Sequence, residues 1–266
     1  MNDLLAPLFR IDGKVAVVSD SGACPSIDVA PVLAAAGARV CIADRDAAAI
    51  SALAQKVDPS GGTVTAIPTD IESEESVSAL FAALRTRFGR LDILVNCAGV
   101  VANQPLAQTT LEQFDALQSL NQRSTFLLMR EGVRLMLEAG NGGRIVNVTT
   151  MGTLHPALKG NAAYACSRAG VTAMTRAIAH DHVRDRILCN VVLPGAVRNK
   201  TRFHATLEAR LAAGGTLEGP GTDANRLPLG MGNGRDIAAA VLYLVGPSGG
   251  YITGQSLTLD GGFLIT

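Results

Sequence analysis

Short runs of consecutive apolar residues alternate along the chain with longer segments in which apolar and polar residues mix. The first run, residues 14–19, reads Lys-Val-Ala-Val-Val-Ser. Such a run, short and almost free of polar residues, is typical of a strand that is buried on both faces. Further runs of this kind predict strands at residues 38–43, 63–68, 91–95, 143–148, 187–193 and 255–259.

The segments between these runs predict helices. Ser73 stands at an N-cap position, and Glu74 and Glu75 follow it in the first turn, where acidic side chains stabilise a helix. The segment 111–138 indicates one long helix, either continuous or broken. Helices are predicted over residues 27–36, 45–57, 73–88, 111–138, 161–183 and 235–245.

Strands alternate with helices over residues 1–266, and no linker, repeat or change of composition divides them. This alternation predicts an α/β fold: a single-domain, Rossmann-type, doubly wound parallel sheet of about seven strands with helices on both faces. One segment, residues 196–234, is polar, rich in glycine and too long for an ordinary connection. We expect this segment to form a lid or a substrate-binding loop.

The composition narrows the classes of function. Lys+Arg and Asp+Glu both number 23, so the formal net charge is zero and no basic surface for nucleic acid or a membrane is expected. The longest apolar run, residues 237–245, is too short to span a bilayer, and the first residues lack the pattern of a signal peptide. These features predict a cytoplasmic protein.

The cysteines are odd in number and form no Cys-x-x-Cys motif, which favours reduced and mostly buried thiols. They are Cys24, Cys41, Cys97, Cys166 and Cys189. Histidines are sparse, and their spacing predicts no metal site. His155 either lines a substrate pocket or is an ordinary surface histidine.

Candidate chemistry lies in the helix at residues 161–183, which follows the strand at 143–148. Tyr164 and Arg168 are four residues apart and therefore share one face of this helix. A phenol then lies beside a guanidinium near the carboxyl end of a strand, where ligands bind in open α/β sheets.

These residues, and the strand that ends in Thr150, resemble the short-chain dehydrogenases/reductases, whose helix carries Tyr-x-x-x-Lys after a strand ending in Ser. Arg168 stands at the Lys position and Thr150 at the Ser position, with Thr149 as the competing assignment. The resemblance implies that Tyr164 is the general acid or base. It also implies that the threonine orients the substrate oxygen and that Asn121 anchors a water chain.

The resemblance also identifies a changed cofactor loop. The family's three glycine positions after the first strand hold Asp20, Cys24 and Ser26 here. Glycines at these positions let the backbone approach a pyrophosphate closely, and side chains there would fill that space. Pro25 removes an N–H group, and the carboxylate of Asp28 competes for the first turn of the helix. These changes predict that this chain binds no dinucleotide.

Other positions that hold the cofactor in the family are retained here. Their retention is explained equally by surviving NAD binding and by structural support of the turns. Asp44 would select NAD over NADP, because an acidic residue at the end of the second strand binds the ribose hydroxyls. The retained positions are Asp44, Asp70, Ile71, Asn96, Gly99 and Pro194.

Three hypotheses about function follow. The first is a non-catalytic subunit that partners an active NAD-dependent paralogue, as in the heteromeric hydroxybenzylsuccinyl-CoA dehydrogenase. The second is a cofactor-independent enzyme using Thr150, Tyr164 and Arg168, which resembles the halohydrin dehalogenases. The third is an active NAD-dependent dehydrogenase that oxidises a secondary alcohol to a ketone. The altered loop ranks them in that order.

The resemblance further implies a dimer or tetramer. In the family, the helices corresponding to 111–138 and 161–183 and the last strand build the subunit contacts. The turn Asp260-Gly261-Gly262 after that strand matches the family pattern. We therefore expect a homo-oligomer or a hetero-oligomer of this chain.

Overall fold

The structure is a computed structural model that describes residues 2–19, 26–198 and 218–266. Eight α-helices are defined in this part of the chain. They are α1 (Asn2–Phe9), α2 (Ser26–Ala35), α3 (Ala47–Val57), α4 (Glu74–Phe88), α5 (Leu111–Gln118), α6 (Ser124–Ala139), α7 (Ala162–His182) and α8 (Gly234–Val245).

The strands of the described residues form one large sheet and a small two-stranded pair. They are β1 (Val15–Ser19), β2 (Arg39–Asp44), β3 (Val64–Pro68), β4 (Ile93–Asn96), β5 (Gly143–Val148), β6 (Ile187–Pro194), β7 (Val197–Arg198), β8 (Gly232–Asn233) and β9 (Ser256–Leu259). The large sheet has seven parallel strands in the order β3-β2-β1-β4-β5-β6-β9. This arrangement confirms the predicted α/β fold.

The strand order reverses beside β1, which pairs with β2 on one side and with β4 on the other. In doubly wound sheets this switch point opens a crevice at the carboxyl ends of the strands. Ser19 at the end of β1 pairs in register with Asn96 at the end of β4. The predicted site residues that follow β4 and β5 therefore lie beside the crevice.

Both faces of the sheet are covered, which explains why its strands show no alternation of polar and apolar residues. Along β1, Ala16 and Val18 belong to the apolar cluster that packs against α2 and α8. Val15 and Val17 belong to the cluster on the other face, against α4 and α6. Because successive side chains of a strand point to opposite faces, a strand buried on both sides must be apolar throughout.

The long helix predicted at 111–138 is broken. A π-helical turn, Ser119–Arg123, separates α5 from α6 and contains the buried Asn121. The N-terminal helix α1 was not anticipated from the sequence. Helix α4 begins as predicted, with the Ser73 side chain accepting a hydrogen bond from the Ser76 N–H.

Part of the 196–234 segment lies within the described residues. Its ends pair as β7 and β8, and the stretch from Glu218 onward contacts the loop that precedes α7. Residues 199–217 lie outside the described part, so the lid remains a prediction. Among the described helices, none is long and apolar enough to cross a membrane.

Candidate functional site

Helix α7 brings Tyr164 and Arg168 together, as their spacing predicts. Both side chains are buried, with 7% of Tyr164 and 4% of Arg168 exposed. The guanidinium carbon of Arg168 lies 5.8 Å from the centre of the Tyr164 ring. A phenol and a fixed positive charge thus share one buried region beside the carboxyl end of β4.

Arg168 is anchored to the backbone that follows β4. Its Nη1 donates a hydrogen bond of 3.1 Å to the carbonyl oxygen of Ala98. The guanidinium also lies directly on Gly99, because a Cβ atom built there would be 1.5 Å from Nη2. Glycine is therefore required at position 99 for this arginine to adopt its place.

A carboxylate partner would give Arg168 a purely structural role, but none of the described residues supplies one. The ion pairs among them do not include Arg168. Its Nε is buried and has no hydrogen-bond partner there. Among the residues that the structure describes, this buried charge therefore has no counter-charge, and such a charge is costly to bury.

Asn121 joins the same backbone segment to α7. The Asn121 side chain is fully buried. Its Nδ2 donates a hydrogen bond to the Val100 carbonyl oxygen (3.0 Å), and its Oδ1 accepts one from the Val100 N–H (2.8 Å). Its Nδ2 also donates to the Ser167 hydroxyl at 3.0 Å. The π-helical turn positions this side chain, and π turns are frequent at functional sites.

The two candidate threonines differ in their surroundings. Thr150 Oγ1 accepts a hydrogen bond of 3.1 Å from the Gly152 N–H, which leaves its own hydroxyl hydrogen to be donated. Thr149 is buried, and its Oγ1 has no partner among the described residues. Both hydroxyls follow β5, so Thr150 and Thr149 remain the two assignments for the substrate-orienting group.

The positions predicted to hold the adenosine end of a cofactor lie at the end of β2 and after the end of β3. Asp44 ends β2, is buried, and its Oδ1 accepts a hydrogen bond of 2.6 Å from the Asp46 N–H. Ile71 is also buried. The exposed Asp70 carboxylate forms an ion pair with Arg45 at 2.9 Å. These residues fit the adenosine part of a dinucleotide.

Two other retained positions have clear structural roles. Nδ2 of Asn96 donates a hydrogen bond to Asn147 Oδ1 at 2.7 Å. Nδ2 of Asn147 in turn donates to the Thr175 hydroxyl oxygen at 2.9 Å. The turn after Pro194 is tightly packed, because a Cβ atom on Gly195 would lie 2.8 Å from the Asp260 Cα atom. Asn96 is therefore part of a buried hydrogen-bond chain within the sheet, and Pro194 pairs in register with Leu259 of β9.

The pyrophosphate end of the predicted cofactor site lies only partly within the described residues. Asp20, Cys24, Pro25 and the side chain of Ser26 lie outside the described residues, so the consequence of those changes stays a prediction. Asp28 is described: its Oδ2 would be 1.9 Å from a Cβ atom on Gly234, the first residue of α8. The Asp28 carboxylate is thus packed between the first turns of α2 and α8.

His155 is the residue that the sequence left undecided. It lies at the end of a turn that begins at Thr150, and its ring contacts Phe263 near the C-terminus. Phe263 was not singled out from the sequence, because nothing local indicates that it reaches this loop. Among the described residues, His, Cys, Asp and Glu side chains form no group suited to a metal ion.

Comparison with known proteins agrees with this architecture. The profile of a family described as enoyl-(acyl carrier protein) reductase matches residues 26–264. An uncharacterised oxidoreductase of Mycobacterium tuberculosis is 34% identical, with 97% of this chain and 95% of that protein covered. A D-threitol dehydrogenase of Mycolicibacterium smegmatis is 32% identical over the same shares of the two chains.

Two further similarities add to this. A sorbitol dehydrogenase of Cereibacter sphaeroides is 30% identical, covering 96% of this chain and 98% of that protein. The crystal structure of a short-chain type dehydrogenase/reductase from Mycobacterium marinum superposes with a TM-score of 0.86 at 28% identity, covering 97% and 98% of the two chains. The chain therefore belongs to the short-chain dehydrogenase/reductase superfamily.

Proposed function

We propose that this chain is an NAD-dependent dehydrogenase that interconverts a secondary alcohol and its ketone, with a polyhydroxylated compound as substrate. The observation that carries the proposal is the buried pairing of Tyr164 with Arg168 beside Asn121. The resemblance to proteins named D-threitol dehydrogenase and sorbitol dehydrogenase supports the reaction and the substrate class. Because of this resemblance, we rank the active dehydrogenase above the non-catalytic subunit, which the altered cofactor loop favours.

Each residue has a stated task in this proposal. Tyr164 takes the proton of the substrate hydroxyl during oxidation and returns it during reduction. Arg168 offsets the negative charge that develops at the reacting oxygen atoms in the transition state, because its guanidinium is already held beside the Tyr164 ring. The hydroxyl of Thr150, or that of Thr149, holds the substrate oxygen.

NAD, when bound, accepts or returns the hydride in this reaction. Asp44 would hold the adenosine ribose, and Asp70 and Ile71 would face the adenine. Arg168 keeps its hydrogen bond to Ala98 and holds the positive charge beside Tyr164. A flat guanidinium fixed on Gly99 is not equivalent to a lysine ammonium, so we assign Arg168 to the phenol and not to the ribose.

A second candidate function is the non-catalytic subunit with an active paralogue as partner. Asp28 is the observation that favours it, because its carboxylate lies in the first turn of α2, where the family binds phosphate. A third candidate is the cofactor-independent enzyme with Thr150, Tyr164 and Arg168. It is favoured by the buried Arg168 guanidinium, which forms no ion pair with a carboxylate among the described residues.

Calorimetric titration with NADH separates these candidates. The natural chain is compared with a variant that restores the family loop, Asp20→Gly/Cys24→Gly/Pro25→Ile/Ser26→Gly. Binding by the natural chain supports the proposed dehydrogenase. Binding by the restored variant alone would overturn it in favour of the other two candidates, which differ in whether the isolated chain has activity without NAD.

The catalytic assignment is tested with Tyr164→Phe, which removes the hydroxyl and keeps the ring. We expect kcat for polyol oxidation to fall by about 100-fold or more, because a general acid–base group is lost, while NADH binding is unchanged. Tyr251→Phe is the matched control, since Tyr251 is fully exposed. Undiminished kcat in Tyr164→Phe would contradict the assignment.

We also propose that the chain self-associates through the helices that the family resemblance implicates. Large apolar side chains are exposed along the 111–138 segment, namely Leu111 on α5 and Phe126 and Leu137 on α6. Beside α5, Leu117 and Leu120 help to line a cavity of about 340 Å³. Light scattering should give a multiple of the 27.5 kDa chain mass, and Phe126→Asp should lower it. A monomer at micromolar concentration would refute this.

A further inference from the structure

His155 occupies a fixed position just beyond the strand ends. The turn that starts at Thr150 is closed by hydrogen bonds from the Thr153 N–H to the Thr150 carbonyl oxygen (3.3 Å) and from the His155 N–H to the Met151 carbonyl oxygen (3.2 Å). His155 therefore lies about one helical turn beyond Thr150. Its location is set by the same strand that positions Thr150.

The imidazole ring is held on two sides. Its Nδ1 lies 3.0 Å from the carbonyl oxygen of Pro156, which can only accept, so Nδ1 carries the hydrogen. The ring also meets Phe263 edge to face, with centroids 5.9 Å apart and an interplanar angle of 78°. Few rotameric states of His155 are compatible with both contacts.

Phe263 is itself immobilised. It is fully buried, and the Arg226 guanidinium lies over its ring at 4.4 Å from the centroid. Nη2 of Arg226 also donates to the Phe263 carbonyl oxygen at 3.1 Å. The C-terminal turn thus forms a rigid support behind the His155 ring.

The loop that carries His155 is tied to the end of the long variable segment. The Lys159 N–H donates to the Glu218 carbonyl oxygen, and the Gly221 N–H donates to the Ala157 carbonyl oxygen, both at 2.7 Å. Beneath the loop, Met151, Leu193 and Phe263 form a small apolar cluster. The loop therefore packs on a buried apolar cluster beside the ends of β5 and β6, and this packing holds His155 in place.

The second ring nitrogen of His155 is Nε2. The half-buried His155 ring forms no hydrogen bond through Nε2 to any of the described residues. A fixed polar atom beside a binding site provides orientation and specificity for a ligand.

We infer that His155 is a specificity-determining residue, whose Nε2 hydrogen-bonds a hydroxyl group on the carbon next to the reacting carbon of a polyhydroxylated substrate. The inference rests on the proposed function for the location of the reacting carbon. It extends that proposal by naming the residue that distinguishes a polyol from an alcohol with a single hydroxyl.

The test compares D-threitol with 2-butanol, which has the same number of carbons and one hydroxyl. His155→Phe keeps the aromatic contact with Phe263 and removes Nε2, whereas His155→Gln retains a hydrogen-bonding group. For His155→Phe we expect kcat/KM to fall on the order of 10-fold to 100-fold with D-threitol and less than about 2-fold with 2-butanol, because one hydrogen bond to the substrate is lost. His155→Gln should recover part of the loss with D-threitol.

His180→Phe is the matched control, since the His180 side chain is 89% exposed on α7. An equal loss with both substrates would mean that His155 only supports the loop, and no loss with D-threitol would mean that it does not meet the substrate. Either result overturns the inference.

Saturation-transfer NMR of D-threitol binding to the natural chain and to His155→Phe supplies a readout that needs no turnover. If the natural chain binds D-threitol without oxidising either alcohol, the proposed function fails. The effect of His155→Phe on binding then still decides the inference, and absence of binding to the natural chain overturns it.

Discussion

The Arg168 guanidinium lies directly against Gly99, so a side chain at position 99 would displace it. The spacing of Tyr164 and Arg168 on one helix face follows from the sequence, because it depends only on helical periodicity. The partner of Arg168 does not, because the Ala98 carbonyl oxygen is 70 positions away along the chain. Only the sheet brings the two together.

Gly99→Ala tests this dependence. The added methyl group would meet the guanidinium at 1.5 Å and displace it from Tyr164 and Ala98. We expect kcat to fall by at least 10-fold while stability falls by about 1–3 kcal/mol, the usual cost of overpacking. Kinetics and urea unfolding measure the two effects.

Gly62→Ala is the matched control, since its added methyl group meets no atom within 4 Å and its backbone does not require glycine. Unchanged kcat in Gly99→Ala would show that the position of the guanidinium is unimportant for the reaction.

Helix α4 shows which features of a single helix the local sequence is sufficient to predict. Its start at Ser73 and its acidic first turn could be predicted, because an N-cap depends on residues three positions apart. The break between α5 and α6 could not be placed, because it accompanies the hydrogen bonds of Asn121 to Val100 and Ser167. Those partners come from other elements.

Ser73→Ala should destabilise the protein by about 1 kcal/mol, because the Ser76 N–H loses its acceptor at the helix start. The loop with Asp70 and Ile71 immediately precedes this cap, so we expect weaker NADH binding as well. Chemical unfolding and calorimetry provide the measurements.

Ser78→Ala is the control within the same helix, since Ser78 is exposed and lies away from the cap. Alanine should be neutral or slightly stabilising there. Equal effects of the two substitutions would contradict the capping role of Ser73.

The whole molecule determines the reactivity of its cysteines. Burial raises the pKa of Cys41 to about 11 and that of Cys189 to about 12. Cys97 is buried, and Cys166 is exposed on α7. Because the thiolate is the reactive form, raised pKa values keep Cys41 and Cys189 almost entirely protonated at pH 8.

With Ellman's reagent at pH 8, in a Cys24→Ser background, we expect one thiol to react quickly, and the others only after denaturation. Cys24 is removed because it lies outside the described residues. Adding Cys166→Ser should abolish the fast phase. A second fast-reacting thiol in the native protein would contradict the burial of Cys41, Cys97 and Cys189.

The sequence by itself determined the alternation of strands and helices, the pairing of Tyr164 with Arg168, and the changed residues at the glycine positions of the cofactor loop. These features depend on neighbours within a few residues, so periodicity and spacing are sufficient to predict them. The helix over 161–183 and the cap at Ser73 belong to the same class.

Only the tertiary structure decided the backbone partner of Arg168, the π-helical turn at Asn121, the wedge of Asp28 against Gly234 and the contact of His155 with Phe263. Each joins elements that are distant in the sequence and meet because of the strand order β1-β4-β5-β6-β9. Local pattern carries no information about such contacts, since packing of the sheet and its helices selects them.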